Sequence, residues 1–181
     1  MLDALRAGDE SARDALLEHS LGHLHQLARR MFHTSWDLRR IDQTDDVLQK
    51  AMLRLYAALD QVRPRDALSF YGLAARQIRW VLRDLARDAA AARVVNYRAE
   101  PPETEDPYGE PSDLAEWAEF HEKIEGLPEE ERETFDLLLY QGLTQKQAAV
   151  ALKTSVRTVK RRWQRARLSL AHALHGDWPK V

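Results

Sequence analysis

Apolar positions recur at steps of three and four along most of the chain, and no stretch alternates as a half-buried strand does. Leu16, Leu17, His19–Leu21, Leu24, Leu27, Ala28 and Met31 mark a first buried stripe. A second helix is predicted to begin around residues 43–45, where Thr44 can cap and Asp45 and Asp46 favour the positive helix end. It buries Leu48, Ala51, Met52, Leu55 and Leu59, while its other face carries Asp46, Gln49, Lys50, Leu53 and Arg54. Pro64 breaks the pattern, and a third helix is expected over about residues 67–92, burying Phe70, Leu73, Ala74, Ile78, Val81, Leu82 and Leu85. Arg76, Arg79, Arg83 and Arg87 step along that helix as one basic stripe.

The periodicity then stops. Residues 97–112, YRAEPPETEDPYGEPS, combine prolines, a glycine and many acids, and such a segment buries too little apolar surface to order itself. Short helices follow. Ser112 can cap one that runs to about residue 125. Pro128 suits the first position of the next, Glu129–Glu131 complement its dipole, and Phe135, Leu138 and Leu139 form its inward face. Gln141 and Gly142 close it. Thr144 and Gln147 form a capping-box pattern ahead of Ala148, Ala149 and Leu152. Ser155 then caps a long final helix.

The predicted fold class is therefore all-α. Two small helical domains, residues 1–96 and 113–176, are joined by a flexible acidic linker, residues 97–112. Cysteine is absent, which excludes disulfides and thiolate metal sites and fits a reducing compartment. The N-terminus lacks a signal-peptide pattern and no apolar run is long enough to span a bilayer, so a cytoplasmic location is expected.

Charge changes the picture more than composition does. The formal net charge is only −2, yet about fifteen acids crowd residues 99–136 against Lys123 and Arg132 alone. Beyond Gln141, basic residues face a single acid, Asp177. In the final helix Val156, Val159, Trp163, Ala166 and Leu170 make a narrow apolar stripe. Arg157, Lys160, Arg161, Arg162, Arg165 and Arg167 occupy most of the remaining surface. A capped short helix, a tight turn and a capped basic helix together form the helix-turn-helix pattern, which lays its second helix in the DNA major groove. Ser155, Arg157, Thr158, Lys160, Arg161, Arg162 and Arg165 are the candidates for bases and phosphates there.

The residues LPEEERETFDLLLYQGLTQKQAAVALKTSVRTVKRRWQRARLSL resemble region 4 of the extracytoplasmic-function (ECF) sigma factors of the sigma-70 family, with Thr158, Val159, Lys160, Arg162, Arg165, Ala166 and Arg167 as the core of the match. RAGDESARDALLEHSLGHLHQLARRMF, QTDDVLQKAMLRLYAAL and SFYGLAARQIRWVLRDLAR resemble successive helices of region 2. The resemblance implies an alternative sigma factor that binds RNA polymerase core and directs promoter recognition. Asp45, Asp46, Gln49, Lys50 and Leu53 would dock on the beta-prime clamp. Arg63, Arg65, Phe70, Tyr71, Arg76, Gln77, Arg79, Trp80 and Arg83 would hold the single-stranded −10 element, where rings stack on bases and Arg neutralises phosphate. Region 4 would read the −35 element and touch the beta flap. The chain departs from the family pattern at Lys50, at Tyr71-Gly72-Leu73, at Gln77, and at Lys153, where the turn usually has Gly.

No cofactor, metal site or catalytic residue is expected. His19 and His23 share a helical face at metal-ligand spacing, but His25 points elsewhere and no further ligand is apparent. The alternative is a conventional helix-turn-helix regulator that binds duplex DNA without being a polymerase subunit. The tail after Leu174 is too short for a sensory domain, so control is expected through a separate partner such as an anti-sigma factor.

Overall fold

Eight α-helices and one π-helical turn make up the described residues, which are 2–32, 41–99 and 112–174 of the computed structural model. No strand occurs among them. The N-terminal helices are α1 (Leu2–Arg6), α2 (Glu10–Phe32), α3 (Ile41–Gln61) and α4 (Ala67–Ala99). The C-terminal ones are α5 (Ser112–Glu125), α6 (Glu129–Phe135), the π turn Asp136–Tyr140, α7 (Gln145–Ala151) and α8 (Val156–Ala173).

Local chemistry sets several of these ends. Asp9 accepts the Ser11 backbone N–H at 2.9 Å and its hydroxyl at 2.6 Å, and these bonds hold its carboxyl below the usual range. Asp66 and Ser69 form a reciprocal cap before α4: the Ser69 N–H donates to Oδ1 at 2.8 Å, and the Asp66 N–H donates to the Ser69 hydroxyl at 3.1 Å. Three boundaries differ from expectation. α3 begins at Ile41, which places Thr44 inside the helix rather than at its cap. α4 continues to Ala99, past the four alanines of residues 89–92, which favour the helix leading up to that extension. Pro128 is the N-cap of α6 rather than its first helical residue.

The first stripe is buried as expected at Leu16, Leu17, Leu24, Leu27, Ala28 and Met31, whereas Leu21 faces solvent. Arg13 ties α2 to α3 through Asp60 and the Tyr56 hydroxyl. Arg54 on α3 pairs with Asp84 on α4 at 2.5 Å. The cores of the two sequence halves merge. Phe120, Ile124, Phe135, Tyr140, Ala166 and Leu170 belong to the same apolar cluster as Met31, Leu55, Phe70 and Ile78. A smaller cluster of Leu137, Ala148, Ala149 and Val159 holds α7 and α8 together. The predicted linker lies mostly at residues 100–111, outside the described residues.

Candidate nucleic-acid interface

Ser155 is the N-cap of α8, and its hydroxyl accepts the Thr158 N–H at 3.1 Å. Val159, Ala166 and Leu170 anchor the inner face, and Trp163 lies over Phe135 with ring centroids 5.2 Å apart. That anchoring leaves Arg157, Lys160, Arg161, Arg165 and Arg167 exposed on one helix. Ser155 is exposed and Thr158 half-buried. Arg162 is set apart, because its guanidinium turns back to Glu130 on α6 at 2.7 Å.

The turn that aims α8 is built from backbone hydrogen bonds. Thr144 and Gln147 make the expected capping box: the Gln147 N–H donates to the Thr144 hydroxyl at 3.3 Å, and the Thr144 N–H to Gln147 Oε1 at 2.9 Å. At the other end of α7, the Thr154 N–H donates to Ala149 O at 2.9 Å and the Lys153 N–H to Val150 O at 3.1 Å. This pair of bonds is the Schellman closure, which needs a left-handed residue after the cap. Lys153 supplies it, with φ of 50°. The lysine therefore keeps the backbone that the expected glycine would have had, at a steric cost.

On α3, Asp46, Gln49, Lys50 and Leu53 are all exposed, and Leu53 keeps 68% of its surface in solvent. Lys50 and Leu53 border a groove of about 400 Å³ shared with Asp84, Leu85 and Asp88 of α4. The Asp45 side chain lies outside the described residues.

The −10 candidates divide. Arg63, Arg65, Arg76 and Arg83 are exposed, and Tyr71 and Trp80 are half-buried. Arg63 donates to the Arg6 carbonyl at 2.7 Å. The Arg76 guanidinium sits 4.9 Å over the Trp80 ring and 2.9 Å from a Glu125 oxygen. Phe70, Gln77 and Arg79 instead face inward, at 1%, 4% and 3% exposure. Phe70 packs edge-on to Tyr71 at 5.1 Å within the core. These three do not join the exposed group: Phe70 lies in the apolar cluster, Gln77 is buried, and Arg79 is enclosed by Glu125 of α5 and Asp136 of the π turn.

Arg79 is the centre of a charge cluster. Nε donates to Glu125 at 2.9 Å, and Nη1 and Nη2 face the two oxygens of Asp136 at 2.9 and 3.4 Å. Burial alone would lower its pKa, but Asp136, then Tyr140 and Glu125, outweigh that and hold the guanidinium charged. Burial pushes the Asp136 carboxyl up while Arg79 pulls it down. The two-pronged geometry is that of an ionised pair.

Beside it sits a second polar contact. His121 Nε2 lies 3.2 Å from Met31 O on α2, and its Nδ1 lies 3.1 Å from the Tyr140 hydroxyl. A carbonyl only accepts, so Nε2 carries the proton and Nδ1 accepts from Tyr140. Burial, then the Arg79 cation, lowers His121 to about 3, so the ring is neutral. Arg30 on α2 donates to Tyr140 O at 3.2 Å.

Glu125, Asp136, His121 and Tyr140 were not singled out in the sequence. Asp136 carried one usable signal: a lone acid inside the apolar run FDLLLY, where only a buried cation or donor makes it tolerable. Among the described residues no group of three or more His, Cys, Asp or Glu could hold a metal ion. No helix among them is long and apolar enough to cross a membrane.

A family model described as ECF sigma factor matches residues 1–176. The chain belongs to the ECF sigma factor family. A relative named ECF RNA polymerase sigma factor EcfG, from Rhodopseudomonas palustris (strain TIE-1), is 30% identical over 146 residues, covering 75% of this chain and 74% of that protein. Two solved structures align along most of the chain. CnrH in complex with the cytosolic domain of CnrY is 24% identical, with a TM-score of 0.40, covering 98% of this chain and 96% of that one. The sigma factor RpoE in complex with the anti-sigma factor NepR, from Bartonella quintana, is 20% identical, with a TM-score of 0.41, covering 91% and 98%. As an ECF sigma factor, the chain is an alternative initiation factor that works with RNA polymerase core and promoter DNA.

Proposed function

We propose that α8 of this sigma factor reads the −35 promoter element, that the exposed side of α3 docks on the polymerase clamp, and that α4 with the loop before it engages single-stranded −10 DNA. The observation that carries the proposal is the acid-free outer face of α8, where Arg157, Lys160, Arg161 and Arg165 are exposed together. Their spacing lets one helix neutralise several phosphates while its first turn approaches base edges. Exposed Leu53 beside Asp46, Gln49 and Lys50 supports the clamp assignment, since an apolar centre with a polar rim suits a protein contact. Arg76 stacked on Trp80 supports a single-strand site of rings and cations.

Domains spanning 1–96 and 113–176 then divide the work, with 97–112 as the connection, and α7 to α8 act as the helix-turn-helix. The protein contributes no catalytic residue, because polymerase performs the chemistry, and it acts in the cytoplasm where polymerase is.

Run-off transcription with purified core polymerase tests the reading. A promoter-specific transcript is expected with the wild-type chain and its loss with K160A/R161A/R165A. The same variant should weaken −35 duplex binding and lower the salt slope by about 3, one contact per removed cation. Unchanged DNA affinity in that variant, together with no specific transcript from the wild type, would overturn it. Promoter binding by the free chain that core polymerase does not strengthen would favour a conventional helix-turn-helix regulator.

A further inference from the structure

Arg162 is the one arginine of α8 that is not exposed. Val159, three residues before it, and Ala166, four after it, are both fully buried, so its side chain leaves the helix at the border of the anchored face. Only 16% of that side chain is exposed, Nη2 lies 2.7 Å from Glu130 Oε2 on α6, and Nε is buried with no hydrogen-bond partner. Arg157, Lys160, Arg161 and Arg165 point to the open side instead.

The acceptor is itself fixed. The buried Thr134 hydroxyl donates to the Glu130 carbonyl at 2.8 Å, which holds that turn of α6 in place. Arg162 also acts on Glu133, one turn along the same face: burial, then Glu129, pushes that carboxyl up, and Arg162 pulls it down.

Apolar contact between α6 and α8 is not directional. Trp163 over Phe135, with the buried Val159, Ala166 and Leu170, sets how closely α8 approaches, but a helix resting on a narrow stripe can still roll about its axis. A guanidinium tied to a carboxylate at the edge of the stripe resists that roll. The outer side chains feel it most. They reach about 5–6 Å from the axis, so a roll of about 10° shifts an outer group by about 1 Å, beyond the roughly 0.5 Å that a polar recognition site tolerates.

We propose that Arg162 is a positioning residue of the −35 reader: through Glu130 it fixes the rotation of α8 on α6, and so the aim of Arg157, Arg161 and Arg165, without touching DNA itself. Arg162 is thereby set apart from the cations that neutralise phosphate. The inference rests on the assignment of α8 to duplex −35 DNA.

The test uses the full chain, a −35 duplex and an unrelated duplex of equal length. Glu130→Gln is the informative variant, because the Glu130 side chain is 71% exposed and its neutralisation should leave the thermal midpoint unchanged. Were Arg162 a phosphate contact held back by Glu130, removing the acid would free a cation, tighten both duplexes and steepen the salt slope by about 0.9. Positioning has the opposite sign. The preference for −35 over unrelated duplex should fall about fivefold, the low end of one bidentate base contact, with the salt slope unchanged. Arg162→Gln should lower the preference by a similar factor. Glu130→Arg/Arg162→Glu restores the pair with its charges exchanged and should recover most of it.

Tighter binding or a steeper salt slope in Glu130→Gln would overturn the proposal. So would an unchanged preference in that variant, or a charge-exchanged chain no better than the single variants. K160A/R161A/R165A reads the assignment of α8 to DNA separately. If it loses affinity while Glu130→Gln keeps the wild-type preference, the positioning role falls and the proposed function stands.

Discussion

Lowering the pH from about 7.5 to about 5.5 is expected to cost the folded chain about 1.4 kcal/mol through His121 alone. The imidazole is buried between three elements: Met31 O of α2 accepts from Nε2, the Tyr140 hydroxyl of the π turn faces Nδ1, and Arg79 of α4 adds a positive charge nearby. Protonating Nδ1 would remove the acceptor that Tyr140 uses and place a second cation beside Arg79. Its pKa accordingly falls to about 3, against 6.5 for an ordinary histidine. The folded value is the depressed one, so the unfolded chain binds one more proton throughout that window. Stability is therefore complete above about pH 6.5 and falls by about 1.4 kcal/mol per unit below it. Carried down to about pH 3, the loss reaches roughly 5 kcal/mol, comparable with the entire stability of a marginal small domain. Asp9 and Asp66, whose carboxyls are held below their usual range by bonds from Ser11 and Ser69, add a loss of the same sign only below about pH 4. Urea unfolding followed by circular dichroism at half-unit pH steps measures the profile. H121Q provides the comparison, because an amide can donate and accept in the same place without titrating. The stability of the wild type minus that of H121Q should fall steadily below about pH 6.5, by about 1.4 kcal/mol per unit. A difference that stays flat within about 0.5 kcal/mol down to pH 5.5 would show that the ring is not held neutral, and the reasoning would be wrong.

Lys153→Gly should stabilise the chain slightly, by roughly 0.5 kcal/mol in urea unfolding. Relief of about 1 kcal/mol of left-handed strain is partly cancelled by the more flexible unfolded chain. Thr144→Ala removes the hydroxyl half of the α7 capping box and should cost about 1 kcal/mol by the same measurement. Phe135→Ala empties a fully buried site among Phe120, Tyr140 and Trp163, and about 3–5 kcal/mol should be lost, read as a lower thermal midpoint. Tyr140→Phe removes the buried hydroxyl that faces His121 Nδ1 and should cost about 1–3 kcal/mol in urea.

The C-terminal helices were legible because their determinants are local. Thr144 meets Gln147 and Ser155 meets Thr158 three residues away, so the spacing in the sequence is already the geometry of the caps. The apolar stripe of α8 likewise separates the anchored face from the basic one before any partner is known. Even the departure at Lys153 was readable as a position of unusual backbone, and its positive φ is what the Schellman bonds require. Boundaries were less legible where signals were redundant. Thr44 reads as a cap, yet α3 starts three residues earlier, and α4 runs on past the alanines after Asp88 to Ala99.

The basic stripe of α4 shows where local reasoning ends. Helical spacing puts Arg76, Arg79 and Arg83 on one side of a cylinder, and from the sequence alone the whole stripe looks available to DNA. Only the tertiary structure decides that Arg83 stays in solvent while Arg79 is enclosed by Glu125 and Asp136, 46 and 57 residues further along. It likewise brings His121 to Met31 across 90 residues. What the sequence determined by itself was the helices, their caps and the segregation of charge, all set within a turn or two of chain. Which charges meet depends on how the helices pack. Coulomb attraction and desolvation act through space, and spacing along the chain does not encode which acid reaches which base.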